Sequence, residues 1–117
     1  MGSGGFMGRH LVENLKRLNV EVLEASSANG SGIDPDSGLL PFDYKIPAGT
    51  ECVAYLAQSP KYRDPGQASH VLSVNVVSAV RAGIAACEAG VKRFIYVSTG
   101  TVYAPSFSPL AEDAPLK

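Results

Sequence analysis

A chain of 117 residues is one domain's worth or less, burying roughly two-thirds of its unfolded surface, enough for one core and too little for two. Apolar residues make up 45% and charged residues 18%, an ordinary globular balance, and a net charge of −1 argues against a broad basic face for nucleic acid or anionic lipid. Cys52 and Cys87 stand far apart with neither CxxC nor Cys/His ligand spacing, which argues against a zinc module or a disulfide framework, and no metal is expected. The longest apolar runs fall short of a membrane span, and the N-terminus lacks the basic flank and apolar segment of a secretory signal. The expectation is a soluble cytoplasmic protein with neither a membrane nor a nucleic acid as partner.

In chain order, a glycine cluster fills residues 2–8. Met7, Leu11, Leu15 and Leu18 then recur at helical spacing, which predicts a helix over about residues 6–18. Residues 20–25 are β-prone and end at Ser26-Ser27-Ala28-Asn29-Gly30, a turn signal. Across 28–50, Pro35, Pro41 and Pro47 with Gly30, Gly32, Gly38 and Gly49 exclude a long regular helix. Val53-Ala54-Tyr55-Leu56-Ala57 is an apolar run suited to a strand covered on both faces. From about residue 67 to 89, Leu72, Val76, Val80, Ile84 and Cys87 trace an apolar stripe with alanines in the gaps, and Gly90 is placed as the helix stop. Phe94-Ile95-Tyr96-Val97 is a second buried-strand candidate, followed by a proline-rich extended tail. Strands alternating with helices predict an α/β fold with a doubly wound parallel sheet and ligands at the carboxyl ends of the strands.

Glycines at 2, 5 and 8 form G-x-x-G-x-x-G ahead of a helix. The first permits a backbone turn closed to residues with a Cβ. The second lets the main chain approach a pyrophosphate, and the third lets the helix lie close to a neighbouring strand. The helix start then offers free N–H groups and a positive dipole end to phosphate. Taken alone, the first residues also read as a flexible tail. The strand that should precede such a loop is not in the sequence, which starts at Met1.

The loop followed by Arg9-His10-Leu11 resembles the G-x-x-G-[FY]-[IM]-G-x-x-L segment of extended short-chain dehydrogenases/reductases, the NAD-dependent epimerase/dehydratase family. Four further segments match in order. Residues 52–57 resemble the family's strand ending in His-Leu-Ala, with Tyr55 in place of His. Val74-Asn75-Val76-Val77-Ser78 resembles N-V-x-G-[TS], with Ser78 in place of Gly. Residues 90–99 resemble G-V-K-R-[FV]-[IV]-[YF]-x-S-[ST], and Thr101-Val102-Tyr103 continues the pattern with Ala104 for Gly. The resemblance implies that residues 1–117 are a partial NAD(P)-binding Rossmann domain, the amino-terminal part of such an enzyme.

It further implies a catalytic hydroxyl at Thr99, hydrogen-bonded to the oxygen being oxidised or reduced; a Ser-Thr-Gly at a strand end also reads as a plain turn. The family's Tyr-x-x-x-Lys pair, acid/base and its pKa-lowering partner, has no counterpart up to Lys117, so this chain alone is expected to be inactive. Implied cofactor contacts are Gly2, Gly5, Phe6, Met7, Gly8, Ser26, Asp34, Leu56, Ala57, Gln58 and Asn75. The acid that selects NAD, about 20 positions after the loop, is replaced by Ser26. No Arg lies within 24–33 to hold a 2′-phosphate, so NAD or NADP stays open, with NAD favoured by the resemblance. Asp43 is the alternative to Asp34, and either also reads as a solvated carboxylate. Asn75 shares a helix face with Val71, Ser78 and Ala82, as expected of a sheet-facing position; the resemblance implies that it helps order the active-site strand by hydrogen bonds, and it reads equally as a satisfied buried amide. The dehydratases' Asp-Glu pair after the Thr is absent here, which implies an epimerase or reductase acting on a nucleotide-linked sugar. The alternative is a non-catalytic nucleotide-binding or interaction module. Family members often form homodimers through the helix read at 67–89 and its successor.

Overall fold

The computed structural model describes residues 1–99 and 102–116. Helix α1 (Phe6–Arg17) starts where the periodicity places it, because Gly5 supplies an extended N-cap backbone, φ −74° and ψ 171°. It ends in a Schellman turn. Asn19 takes a left-handed backbone at φ 56°, and the amides of Asn19 and Val20 donate to the carbonyls of Lys16 and Leu15, each at 3.0 Å. Its apolar stripe covers little: Met7 and Leu18 are exposed, and Gly8 is the buried residue.

Strands β1 (Cys52–Tyr55) and β2 (Arg93–Tyr96) pair in parallel, with Cys52 opposite Arg93 and Tyr55 opposite Tyr96. The crossover between them is one continuous helical stretch, Pro65–Glu88. It opens with a 3-10 turn (Pro65–Gln67), runs as α2 (Ala68–Leu72), widens to a π-helical segment (Ser73–Val77), and continues as α3 (Ser78–Glu88). Gly90 stops it as predicted: at φ 70° its amide reaches the Cys87 carbonyl and the Val91 amide reaches Ala86. This strand–helix–strand unit with a parallel sheet is the predicted α/β, Rossmann-like class.

The core centres on Leu40, Tyr55 and Ala82, all without exposed surface, with Met1, Ile33, Tyr44, Ala57 and Ala79 packed around them. α3 packs on both strands. The buried face of the long helix is its small-residue face, Ser78, Ala82, Ala85 and Ala86, together with Val74. Small side chains bring the helix close to the sheet. The bulkier stripe Leu72, Val76, Val80 and Ile84 is therefore turned outward and exposed. Contrary to the sequence expectation, Pro65–Glu88 is long and apolar enough by length and composition to cross a membrane; burial of its small-residue face on the sheet accounts for part of that apolarity.

Two other expectations are corrected. Residues 20–25 form no strand, since β-prone side chains become a sheet strand only beside a partner row of backbone groups. The glycine loop docks at the end of this stretch instead, where the amides of Gly2 and Ser3 donate to the Ala25 carbonyl. Strand β2 forms where predicted but is exposed along its whole length, because among the described residues its outer edge pairs with no strand. The tail closes on itself through an antiparallel bridge between Tyr103 and Leu116. Gly100 and Thr101, which belong to the family-like segment, lie outside the described residues.

Candidate nucleotide-binding site

The glycine loop is built by contacts that admit no side chain. Gly2 has φ 84°, and a Cβ there would stand 2.8 Å from the Ala57 amide nitrogen. Gly8 is tighter still: its Cβ would meet the Gly2 carbonyl oxygen at 2.1 Å and the Ser3 Cα at 2.8 Å. The third glycine thus relieves contact with the loop itself, where the sequence pattern suggested a neighbouring strand. Met1 and Gly2 bridge the two sides, as the Met1 amine donates to Ala54, the Leu56 amide to Met1, and the Gly2 amide to Ala25. Gly5 caps α1 without a side chain, and no acid occupies the first turn. The first-turn amides at Phe6, Met7 and Gly8 are left to an outside acceptor, at the positive end of the helix dipole.

These amides open onto a cavity of about 480 Å³. The predicted residues Gly2, Gly5, Phe6, Met7, Gly8, Ser26, Asp34, Leu56, Ala57 and Gln58 all line it. Asn75, Thr99 and the alternative Asp43 do not. Ile33, Pro35, Pro60, His70 and Val74 line it as well and were not picked out from the sequence.

Ser26 sits in a reciprocal cap, with its hydroxyl accepting from the Asn29 amide and its own amide donating to Asn29 Oδ1. Glu24 turns away from this cavity, toward an ion pair with Lys16 at 2.7 Å and a smaller cavity of about 290 Å³ beside Tyr44 and Lys45. Asp34 accepts from the Ser37 amide and hydroxyl, both at 2.7 Å, and the Ser37 amide is the first reason its carboxyl lies below the usual range.

Two tyrosines face one another across the sheet, with ring centroids 5.9 Å apart. The Tyr55 hydroxyl donates to the Val74 carbonyl and the Tyr96 hydroxyl to the Asn75 carbonyl at 3.0 Å. Both carbonyls lie in the π-helical segment, where the α-helical pattern of acceptors is interrupted. Burial pushes the Tyr55 phenol well above its ordinary value, with Tyr96 adding to the shift, so it serves as a fixed donor rather than a proton shuttle. The Asn75 side chain accepts from the Ser59 amide at 3.0 Å, which ties the loop after β1 to the helix. Thr99 stands exposed past the carboxyl end of β2, its carbonyl accepting from Val102.

Ser59 and His70 are both buried and bonded to each other at 2.8 Å. No motif marks them, and a lone Ser and His eleven positions apart give no signal before the loop and helix are in place. Among the described residues no group of three or more His, Cys, Asp or Glu is arranged to hold a metal.

A parallel strand–helix–strand unit, with a side-chain-free loop seating a helix start on a cavity at the strand ends, defines an incomplete Rossmann-like α/β protein. The profile of the NAD dependent epimerase/dehydratase family matches residues 1–117, and the chain belongs to that family, whose members are NAD(P)-dependent. No curated protein and no solved structure matches.

Proposed function

We propose that this chain binds NAD(P) in the glycine-loop cavity and serves an epimerase or reductase acting on a nucleotide-linked sugar. The observation that carries the reading is the seat itself. Gly2 and Gly8 admit no Cβ, and the uncapped start of α1 faces the space they keep open. That donor set fits a diphosphate, since main-chain amides and a helix dipole complement its charge and no acid occupies the first turn of α1. Ser26 and Asp34 would meet the adenosine end, and Leu56, Ala57 and Gln58 the opposite wall.

Held by these residues, a nicotinamide cofactor would supply the site with hydride-transfer chemistry. The chain's own part is to hold the dinucleotide and to place one hydroxyl, that of Thr99, past the end of β2 as a hydrogen-bond partner for the reacting oxygen. Ser26 leaves the choice between NAD and NADP open: it removes the repulsion an acid would exert on a 2′-phosphate but supplies no cation for it. The exposed stripe Leu72, Val76, Val80 and Ile84 supports self-association as a homodimer. Calorimetric titration with NAD and with NADP tests the reading. Binding of at least one is expected, without turnover by this chain alone, and absence of heat with both cofactors would refute it.

A further inference from the structure

Two loops border the cavity, residues 33–38 through Ile33, Asp34 and Pro35 and residues 58–61 through Gln58 and Pro60, and one side chain reaches both. His70, in α2, is 6% exposed. Its Nε2 lies 3.1 Å from the Pro35 carbonyl oxygen. A carbonyl only accepts, so Nε2 carries a proton, and in the Nε2–H tautomer Nδ1 presents a lone pair. Ser59 Oγ lies 2.8 Å from that nitrogen and donates to it. The Lys61 amide in turn donates to Ser59 Oγ at 3.1 Å. One chain of hydrogen bonds therefore runs from Lys61 through Ser59 and the imidazole to Pro35, crossing from wall to wall.

The surroundings show why the ring is the element that sets the gap. The 33–38 wall is pinned further along by Ser78, whose hydroxyl accepts from the Leu40 amide at 2.8 Å and donates to the Gly38 carbonyl at 2.9 Å. Gly38 itself lies so close to the helix that a Cβ would stand 3.0 Å from the His70 carbonyl oxygen. The 58–61 wall is pinned by Asn75 at the Ser59 amide. Each wall thus has its own anchor on the long helix, but His70 bonds both where they border the cavity, beside Asp34 and Pro60.

We propose that His70 is a positioning residue for the nucleotide: its imidazole, bonded at both nitrogens, fixes the separation of the two walls between which the dinucleotide lies. The proposal rests on the nucleotide-binding reading above. The ring needs no contact with the reacting atoms, and its effect is on how well the cavity is preorganised.

The test separates the two nitrogens. An Asn amide falls near Nδ1 and a Gln amide near Nε2, so His70→Asn keeps the Ser59 bond and His70→Gln keeps the Pro35 bond, while His70→Ala loses both. Amide hydrogen exchange in the ligand-free chain should rise about tenfold in both walls for His70→Ala, as expected for one lost buried hydrogen bond on each side. It should rise only at 33–38 for His70→Asn and only at 58–61 for His70→Gln. NAD affinity should fall about tenfold in His70→Ala and recover in part in the other two. Should His70→Ala fail to fold, Ser59→Ala removes the donor to Nδ1 with the helix intact and should loosen 58–61 alone. Unchanged exchange in His70→Ala, equal loosening of both walls by Asn and Gln, or NAD affinity held within about twofold throughout overturns the proposal. Wild-type protein that takes up neither NAD nor NADP defeats the underlying reading, and the proposal with it, before any substitution is made; where NADP alone binds, the affinities are read with NADP.

Discussion

Strands β1 and β2 are each four residues long, pair in register, and carry a tyrosine at the same level, yet their surroundings differ completely. Tyr55 has no exposed surface and Tyr96 is nearly half exposed. On its far side β1 meets Met1 and its Tyr55 packs with Leu40 and Ala82, whereas β2 has β1 on one edge and no strand on the other among the described residues. Burial here is a property of what lies beside a strand and not of how apolar the strand is. Phe94, Ile95, Tyr96 and Val97 are at least as apolar as the residues of β1.

The largest break in this comparison lies at the carboxyl end of β1, where the glycine loop docks. Gly8→Val should push the Gly2 carbonyl away from Ala57, and NAD binding measured by calorimetry should weaken by about a hundredfold or more. Next comes the core. Leu40→Ala should lower the free energy of unfolding in urea by about 2–5 kcal/mol, whereas Ile95→Ala on β2, about half exposed, should cost less than about 1 kcal/mol. Equal losses would mean that β2 is covered in solution. The paired tyrosines give a finer contrast. Tyr55→Phe leaves the Val74 carbonyl without its hydroxyl donor in a buried place and should cost about 1–3 kcal/mol, while Tyr96→Phe at an exposed bond should stay within about 0.5 kcal/mol.

The smallest effect is in alkali. Burial raises the folded Tyr55 pKa above its ordinary 10.0, so the folded state holds the proton while the unfolded chain releases it. The contribution is fully present below the unfolded pKa and is lost as pH rises beyond it toward the folded value. Urea midpoints followed from about pH 9 to pH 11 should fall more steeply in the wild type than in Tyr55→Phe.

Local signals carried the fold well where they were complete in a short window. Gly5 and the Met7–Leu11–Leu15 spacing placed α1, Gly90 placed the stop of the long helix, and two apolar runs placed the strands. About half of the cavity lining was legible too, through the family resemblance, because the glycine loop and the residues after β1 each lie within a single segment. What the sequence hid depends on partners far along the chain. The outward stripe Leu72, Val76, Val80 and Ile84 has the same periodicity as a core face, and only the closeness permitted by Ser78 and Ala82 decides which side packs. The 20–25 stretch needed a neighbour to become a strand. Ser59, His70 and Pro35 become one network only once the helix lies across both loops.

The pairing of Cys52 with Arg93 means that no sheet bond forms until the whole crossover has been laid down. Helical turns grow from local contacts and are expected to arise within microseconds, whereas closing so long a span is the slow, entropically costly event. The left-handed turn at Gly90 delivers the chain onto the Glu51 carbonyl through Lys92 and Arg93, at the point where that closure is completed. A residue there that resists φ 70° would delay refolding as well as weaken the finished protein.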